Sequence, residues 1–465
     1  MLSRSALGLL LMPSIALAAS AVWPPALTLA IALAIGAAVA LALDTFLAPR
    51  RTAFRVTRQH EATLMLGVEN PIAIGIRYDG ARPTRLIARD ECPDLFVVDR
   101  QILDAGDTRG PDGESARRPA GPARLLPGAT IELSYRAIPP RRGHFVFGAV
   151  VLRWQGPLKL VWRQAAFALD GAAQVYPNLT DIRKYDALAR VGRTQELGLR
   201  RSRASGEGEF ESLRDYQPDD QARHVDWRAT ARRGRVTVQQ LQTERSQSIL
   251  TLIDCGRLME APCENNIVRA GAMGRQIELQ KIDAAIESAL MLSYVAGQRG
   301  DRVGALAFAD NIITHIAPRS GRAQFYRMLA ALYAVQTRPV ESDYSRAFGH
   351  VAALQRRRAL IVVFTDLASG LAAQTLVTRL APLRQRHLTL LVTLSDPSLL
   401  QIAREPPTSA GALHRIAAAQ RVLDSRMQAI ELLRQSGVLT LDVPADRLSI
   451  SVVNRYLDLK ARHAI

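Results

Sequence analysis

Cysteine is scarce in this chain of 465 residues, which holds only Cys92, Cys255 and Cys263. An odd count without CxxC spacing excludes a disulfide scaffold and a zinc knuckle, and it fits a reducing compartment. The familiar catalytic motifs are missing as well. No HExxH, nucleophile elbow, P-loop or Walker A run occurs, so zincin, α/β-hydrolase and self-contained nucleotide-hydrolase chemistry have no motif to rest on. No internal repeat is found. Acid is outnumbered by base, 43 residues against 60, leaving a formal charge of +17. That balance draws a chain toward nucleic acid, anionic lipid or an acidic protein, and by itself does not choose among them.

What is present is a large apolar fraction. Hydrophobic residues make up 48% and charged residues 22%, the composition of a chain that folds, and the length predicts two or three domains. Two uncharged apolar stretches, residues 5–22 and 26–43, flank Trp23 and the Pro24-Pro25 pair. Together they predict a transmembrane helical hairpin over residues 1–50. Arg4 precedes the first stretch and Arg50, Arg51 and Arg55 follow the second, while the turn has no positive charge. Positive-inside bias then places both ends, and the bulk of the chain, in the cytoplasm, giving a multi-pass protein of the inner membrane. The competing reading is a cleaved signal peptide ending at Ala16-Leu17-Ala18.

Residues 51–177 alternate β-branched and aromatic residues with Gly, Pro and Asp punctuation, which predicts a β-sandwich. Within it, Asp104 to Pro127 reads as a long exposed loop. Residues 178–247 form an arginine-dense bridging segment. From 248 to 465 short apolar strands alternate with amphipathic helices: strands are expected at 248–254, 301–308, 312–318, 359–366, 388–396 and 438–444. Ile282, Ala285, Ile286, Ala289 and Leu290 share one helix face between the first two. This alternation predicts a doubly wound α/β domain with a largely parallel sheet. The fold class is therefore multidomain: helical hairpin, β-sandwich, then α/β.

In such a sheet ligands bind beyond the carboxyl ends of the strands. Two strands end there in acids, Asp254 and Asp366, and Ser342 and Asp343 begin a helix that reaches the same rim. Carboxylates with a hydroxyl suit a hard cation such as Mg²⁺. A first strand ending in Asp, a mid-domain hydroxyl and a later strand ending in Thr-Asp resemble the von Willebrand factor A fold with its metal-ion-dependent adhesion site. That family's first loop reads Asp-x-Ser-x-Ser; here Gly256 and Leu258 stand in place of the serines, so the site is degenerate. Asp254, Ser342 and Asp366 remain weak metal candidates, and no cofactor beyond such an Mg²⁺ is expected. Cys255 reads as a packed thiol.

The stretch GEGEFESLRDYQPDDQARHVDW, Gly206 to Trp227, interleaves acids, arginines and aromatics. Its acids and His224 leave open a metal-dependent hydrolase using Asp254 and Asp366. Its arginines with Phe210, Tyr216 and Trp227 leave open nucleic-acid binding. Against the latter, a surface that tracks phosphates is seldom so self-neutralising. The structural reading pairs the arginines with the acids and buries the aromatics in a packed bridge. The motif resembles that of the family known as domain of unknown function 58. It matches at Gly206, Gly208, Glu209, Phe210, Leu213, Arg214, Tyr216, Pro218, Asp220, Arg223, Asp226 and Trp227, with Asp219 and Val225 replacing the usual Gly and Ile. The resemblance implies a membrane-anchored, non-enzymatic partner of MoxR-type AAA+ ATPases. Its A-type domain is expected to dock proteins through a rim of Asp254, Gly256, Ser342, Asp343 and Asp366. Nucleotide chemistry belongs to the partner, other proteins of the same operon-type complex take part, and nucleic acid is not expected.

Overall fold

The structure, a computed structural model, describes residues 3–98, 107–109, 115–117, 123–190, 210–217, 225–241, 246–270, 275–367 and 370–462. The chain divides into two units, Met1–Tyr176 with Val268–Ile277, and Pro177–Ile267 with Glu278–Ile465.

The first unit opens with helices α1 (Arg4–Ala19) and α2 (Ala26–Leu47), which pack on each other. With 22 residues and a mean hydropathy of 2.5 over its most apolar window, α2 is long and apolar enough to cross a membrane; at the helical rise it spans roughly 33 Å. The 16 residues of α1 with Pro13 inside it span only roughly 24 Å. The expected pair of spans is thus one helix of spanning length with a shorter apolar partner. It is consistent with membrane anchoring, and a signal sequence has the same features; a multi-pass arrangement is not supported.

A buried charge fixes where α2 ends. Asp44 is fully buried, and its carboxylate accepts from the backbone N–H groups of Leu158, Leu160 and Val161 at 2.7, 2.9 and 2.8 Å. The N–H of Ser3 donates to the Leu160 carbonyl at 2.9 Å. Both outer ends of the helix pair therefore fasten on the loop 156–161. Gly156 permits the approach, because a Cβ there would lie 2.2 Å from Asp44 Oδ1.

The rest of this unit is sheet, as its alternation predicts. Strands Phe54–His60, Asn70–Tyr78, Thr130–Ile138 and Val97–Val98 form one antiparallel sheet; Trp162–Phe167, Val150–Gln155, Thr84–Asp90 and Ala123–Leu125 form another. A third joins Gly143–Val146, Ala172–Tyr176 and Thr63–Met65. Along Asn70–Tyr78 every second residue is buried, the period of a strand with one face in a core. The first two sheets meet through Phe54 against Trp154, centroids 4.7 Å apart, and through Tyr135, whose hydroxyl donates to Asp90 Oδ2 at 2.7 Å. The segment expected to be a long loop is partly strand: Ala123–Leu125 pairs with Thr84–Leu86, and Asp107–Arg109 with Ser115–Arg117. Its Gly and Pro content concealed these short pairings.

The second unit is built on a six-stranded sheet. In chain order its strands are β1 (Ser248–Asp254), β2 (Arg302–Phe308), β3 (Ile312–Arg319), β4 (Leu360–Phe364), β5 (Leu388–Ser395) and β6 (Leu439–Pro444). Their spatial order is β3-β2-β1-β4-β5-β6, parallel throughout except for β3, which runs antiparallel to β2 at the edge. Every residue of β1 and β4 is buried, as a parallel strand covered on both faces requires. On one face Leu250, Leu252, Ile361 and Val363 pack with Phe348, Val351, Leu380, Leu383 and Leu433. Those come from helices Tyr344–Leu354, Gly370–Arg384 and Ala410–Gln435. Ile249 and Ile253 face the other way by strand alternation, toward the helix Lys281–Gln298, whose Ile282, Ala285, Ile286, Ala289 and Leu290 are all fully buried.

Replacing Asp44 with Ala leaves three backbone N–H groups without their acceptor. The full chain in detergent is expected to lose about 2–4 kcal/mol, read as a lower Tm and faster proteolysis within residues 156–161. An unchanged Tm would refute the role assigned to Asp44.

Candidate functional site

The strand order reverses direction between β1 and β4, so the crevice beyond their carboxyl ends is the expected location of a site. The loops there bring together three of the five rim residues read from sequence, Asp254, Gly256 and Ser342. Asp254 ends β1 and is 2% exposed. The loops 255–257 and 338–343 are laced together: the N–H of Arg257 donates to the Val340 carbonyl at 2.9 Å, and that of Arg338 to the Cys255 carbonyl at 2.7 Å. This lacing presses Gly256 against Ser342. A Cβ at position 256 would fall 2.3 Å from Ser342 Oγ and 3.0 Å from the Val340 carbonyl oxygen. Glycine is needed here for space, and in that space Ser342 reaches across and donates to Asp254 Oδ1.

The Asp254 carboxylate is fully engaged. Oδ1 accepts from Ser342 Oγ and from the Gly256 N–H at 2.8 Å; Oδ2 accepts from the Tyr344 hydroxyl at 2.7 Å and from Thr365 Oγ1 at 2.6 Å. Four donors use the roughly four lone-pair directions of a carboxylate. Burial, then the adjacent Asp254 charge, pushes the Tyr344 phenol well above its ordinary range, so it stays protonated and donating. Asp343 sits beside this cluster without joining it: its carboxylate caps the helix Tyr344–Leu354 by accepting from the Arg346 N–H at 3.0 Å.

Asp366 turns away into a second network. Its Oδ2 lies 2.6 Å from Lys281 Nζ and its Oδ1 2.6 Å from Arg426 Nη1. Arg426 continues to Asp442 Oδ1 at 2.7 Å and the Leu394 carbonyl at 2.6 Å, and Thr393 donates to the same Asp442 oxygen at 2.7 Å. Burial alone would raise the Asp366 pKa; Lys281 and Arg426 overcome that and hold it below the ordinary carboxylate value. The sequence reading missed Lys281, Arg426, Asp442 and Tyr344. Only Tyr344 carried a local signal, through its place immediately after Ser342 and Asp343.

The donor set does not fit the divalent cation that the Asp254, Ser342 and Asp366 pattern implied. Gly256 and Leu258 bring no hydroxyl, the Ser342 hydroxyl and both Asp254 oxygens are spent on each other and on their neighbours, and both Asp366 oxygens face cations. Thiol chemistry is equally disfavoured: burial pushes the Cys263 thiol up to about 12, and Cys255 is buried.

The described part of the arginine-rich motif forms a two-stranded sheet of its own. Its Phe210–Asp215 strand, which carries Leu213 and Arg214, pairs antiparallel with Thr237–Leu241. Asp226 caps the helix Trp227–Arg233, accepting from the N–H groups of Arg228 and Ala229 at 3.0 Å; Gly234, with φ of 67°, ends that helix. The expected burial is not observed for two of the three aromatics, Tyr216 being 43% and Trp227 70% exposed. Each sits at the end of a short element, Tyr216 just past its strand and Trp227 in the first helical turn, where the local hydrogen bonds leave the ring free of the sheet core. Gly206, Gly208, Glu209, Pro218, Asp220, Arg223 and His224 lie outside the described residues.

These features define a protein with an apolar N-terminal helix pair, a β-sheet unit and a parallel α/β unit. The family model described as "Protein of unknown function DUF58" matches residues 212–404, which bears out the resemblance carried by the motif. The chain is 27% identical over 209 residues to the uncharacterized protein Rv1480 of Mycobacterium tuberculosis (strain ATCC 25618 / H37Rv), covering 43% of this chain and 58% of that protein. It is 26% identical over 163 residues to the uncharacterized protein YeaD of Bacillus subtilis (strain 168), covering 35% and 40%. The matched region is thus less than two thirds of either relative's length. Among solved structures, the conserved hypothetical protein BatB from Bacteroides thetaiotaomicron aligns with 11% identity and a TM-score of 0.28, covering 47% of this chain and all of that one.

Two outcomes follow from this geometry. Gly256→Ala is expected to destabilise the second unit by about 1–3 kcal/mol, and Ser342→Ala in the same chain should return part of that loss; simple additivity of the two would refute the clash. Asp366→Asn is expected to be about 3–5 kcal/mol less stable than the parent at neutral pH. Because the folded-state pKa of Asp366 is depressed below 3.8, its contribution is complete above that value and is lost as pH falls through the folded pKa. Urea titrations should therefore show a difference between the two proteins that is constant from pH 7 down to about 4 and narrows as pH falls further.

Proposed function

We propose that this protein is a non-enzymatic, membrane-anchored adaptor. In this reading the N-terminal helix of spanning length anchors it at the inner membrane with the bulk of the chain in the cytoplasm. The parallel α/β unit, a degenerate von Willebrand factor A-like domain, docks a MoxR-type AAA+ ATPase or that ATPase's clients. What carries the reading is the closed state of the sheet-end groups. Asp254 accepts four hydrogen bonds and Asp366 is held between two cations, so neither acid is placed to act as a general base or nucleophile on a substrate.

Docking at this end falls to the exposed groups around the buried ones. Arg257 and Glu341 pair at 2.8 Å with side chains 61% and 82% exposed. Arg338 pairs with Asp310 at 3.2 Å, and Asp343 and Arg346 stand beside them. A ring of both signs around a rigid sheet end favours a protein partner with complementary charges, for which such groups set specificity and encounter rate.

The test is a crosslink and pull-down of the tagged full chain from membranes, comparing the parent with Arg257→Ala/Glu341→Ala. An exposed pair contributes about 0–1 kcal/mol to stability, so the variant should fold and any loss reports docking. An AAA+ ATPase recovered with the parent and reduced several-fold with the variant is the expected result. Absence of any AAA+ ATPase from the parent sample would end the adaptor reading.

A further inference from the structure

We infer that the sheet-end site carries its own cation, the Lys281 ammonium backed by the Arg426 guanidinium, in the role a divalent ion would take beside Asp366. Two acids share these cations at the ends of β4 and β6, Asp366 and Asp442. Lys281 and Arg426 add two positive charges, the same charge as one divalent ion.

These cations are built in rather than borrowed from the surface. Lys281 opens the helix Lys281–Gln298, where its backbone is pinned: its N–H donates to the Ala261 carbonyl at 3.0 Å, and a Gln280/Asp283 capping box closes the turn. Arg426 lies within the helix Ala410–Gln435, is 9% exposed, and is held by Asp442 and the Leu394 carbonyl as well as by Asp366. If Lys281 swings aside Asp366 loses one of its two cations, and if Arg426 does so Asp366, Asp442 and the Leu394 carbonyl all lose a partner, which is unfavourable for buried groups. An incoming ion would need oxygen ligands at about 2.0–2.1 Å. Both Asp366 oxygens are already in contact with nitrogen at 2.6 Å, and repulsion from two fixed like charges opposes entry. The missing hydroxyls at Gly256 and Leu258 and the presence of Lys281 are thus two sides of one metal-free arrangement. The inference does not depend on the adaptor reading, since ion binding is measured without a partner.

The experiment uses the full chain in detergent, with Mn²⁺ as the probe, read by electron paramagnetic resonance for bound ion and by Tm. The parent is expected to show no saturable Mn²⁺ site at Asp366 and the same Tm in Mn²⁺ or EDTA. Lys281→Met removes the ammonium and should lower Tm by roughly 6–12 °C, with part of the loss restored by millimolar Mn²⁺ and not in Lys281→Met/Asp366→Asn. Lys281→Arg keeps a cation and should stay near the parent and remain indifferent to Mn²⁺. Stoichiometric Mn²⁺ binding by the parent that disappears in Asp366→Asn would overturn the inference. So would a Lys281→Met protein as stable as the parent, or a Lys281→Arg protein as impaired as Lys281→Met. Should Lys281→Met not fold, the parent titration and the Lys281→Arg comparison still decide.

Discussion

The second unit depends on neutralising acids at the ends of a buried parallel sheet. A carboxylate taken out of water must be paired or hydrogen-bonded, or it protonates. Here that constraint is met by groups that also tie elements together. Arg426 reaches Asp366 just beyond β4, the Leu394 carbonyl on β5 and Asp442 on β6, so one guanidinium holds three neighbouring strand ends and the helix that carries it. Arginine suits this because its planar fork serves several acceptors at once and never loses its charge. The opposite end of the sheet is closed by similar means. Asp301, fully buried before β2, accepts from the Gln247 N–H at 3.0 Å and from Tyr456, and Lys460 Nζ lies 3.1 Å away, which binds the C-terminal helix Leu448–Ala461 to the strand starts.

The first unit solves its own joints in the same way. Asp44 would be an expensive residue near the end of an apolar helix, yet three backbone donors from one loop make it the point at which that helix is fastened to the sheets. Between the sheets, Arg58 and Asp90 pair with side chains only 1% and 2% exposed, and the Arg58 guanidinium also lies over the Phe147 ring at 5.0 Å. A buried pair of this kind adds little net stability compared with apolar packing, but losing one partner is severely destabilising. Its role is therefore to fix which sheet faces meet, while the apolar alternation along Asn70–Tyr78 supplies the driving force.

The strands and the parallel sheet were legible because burial on both faces demands continuous apolar runs, and SILTLID and LIVVF leave no other reading. Asp254, Ser342 and Asp366 were legible as sheet-end groups for a related reason: polar residues directly after such runs must emerge where strands end. Their partners were not. Lys281 looks like an ordinary first-turn lysine, and Arg426 is one arginine of many on a long helix with others at 415, 421 and 434. Nothing in local pattern distinguishes a cation that bridges 60 residues of sequence to Asp366 from one that faces solvent. The same limit hid Asp44, whose acceptors' partners lie more than a hundred residues away, and it made the aromatics of the Tyr216 to Trp227 stretch look like core when two of them are exposed.

The departures from the Asp-x-Ser-x-Ser pattern follow one steric logic. With no side chain at 256, the loop bearing Ser342 comes close enough for its hydroxyl to reach Asp254, which replaces from another part of the chain the hydroxyl that position 256 lacks. A serine restored at 256 would meet that same oxygen within 2.3 Å of its Cβ, so the pattern cannot be repaired by a single substitution. The loop would have to retreat, and Asp254, only 2% exposed, would then lose a donor. The glycine and the cross-loop serine are therefore mutually dependent, and together they complete the set of donors around Asp254.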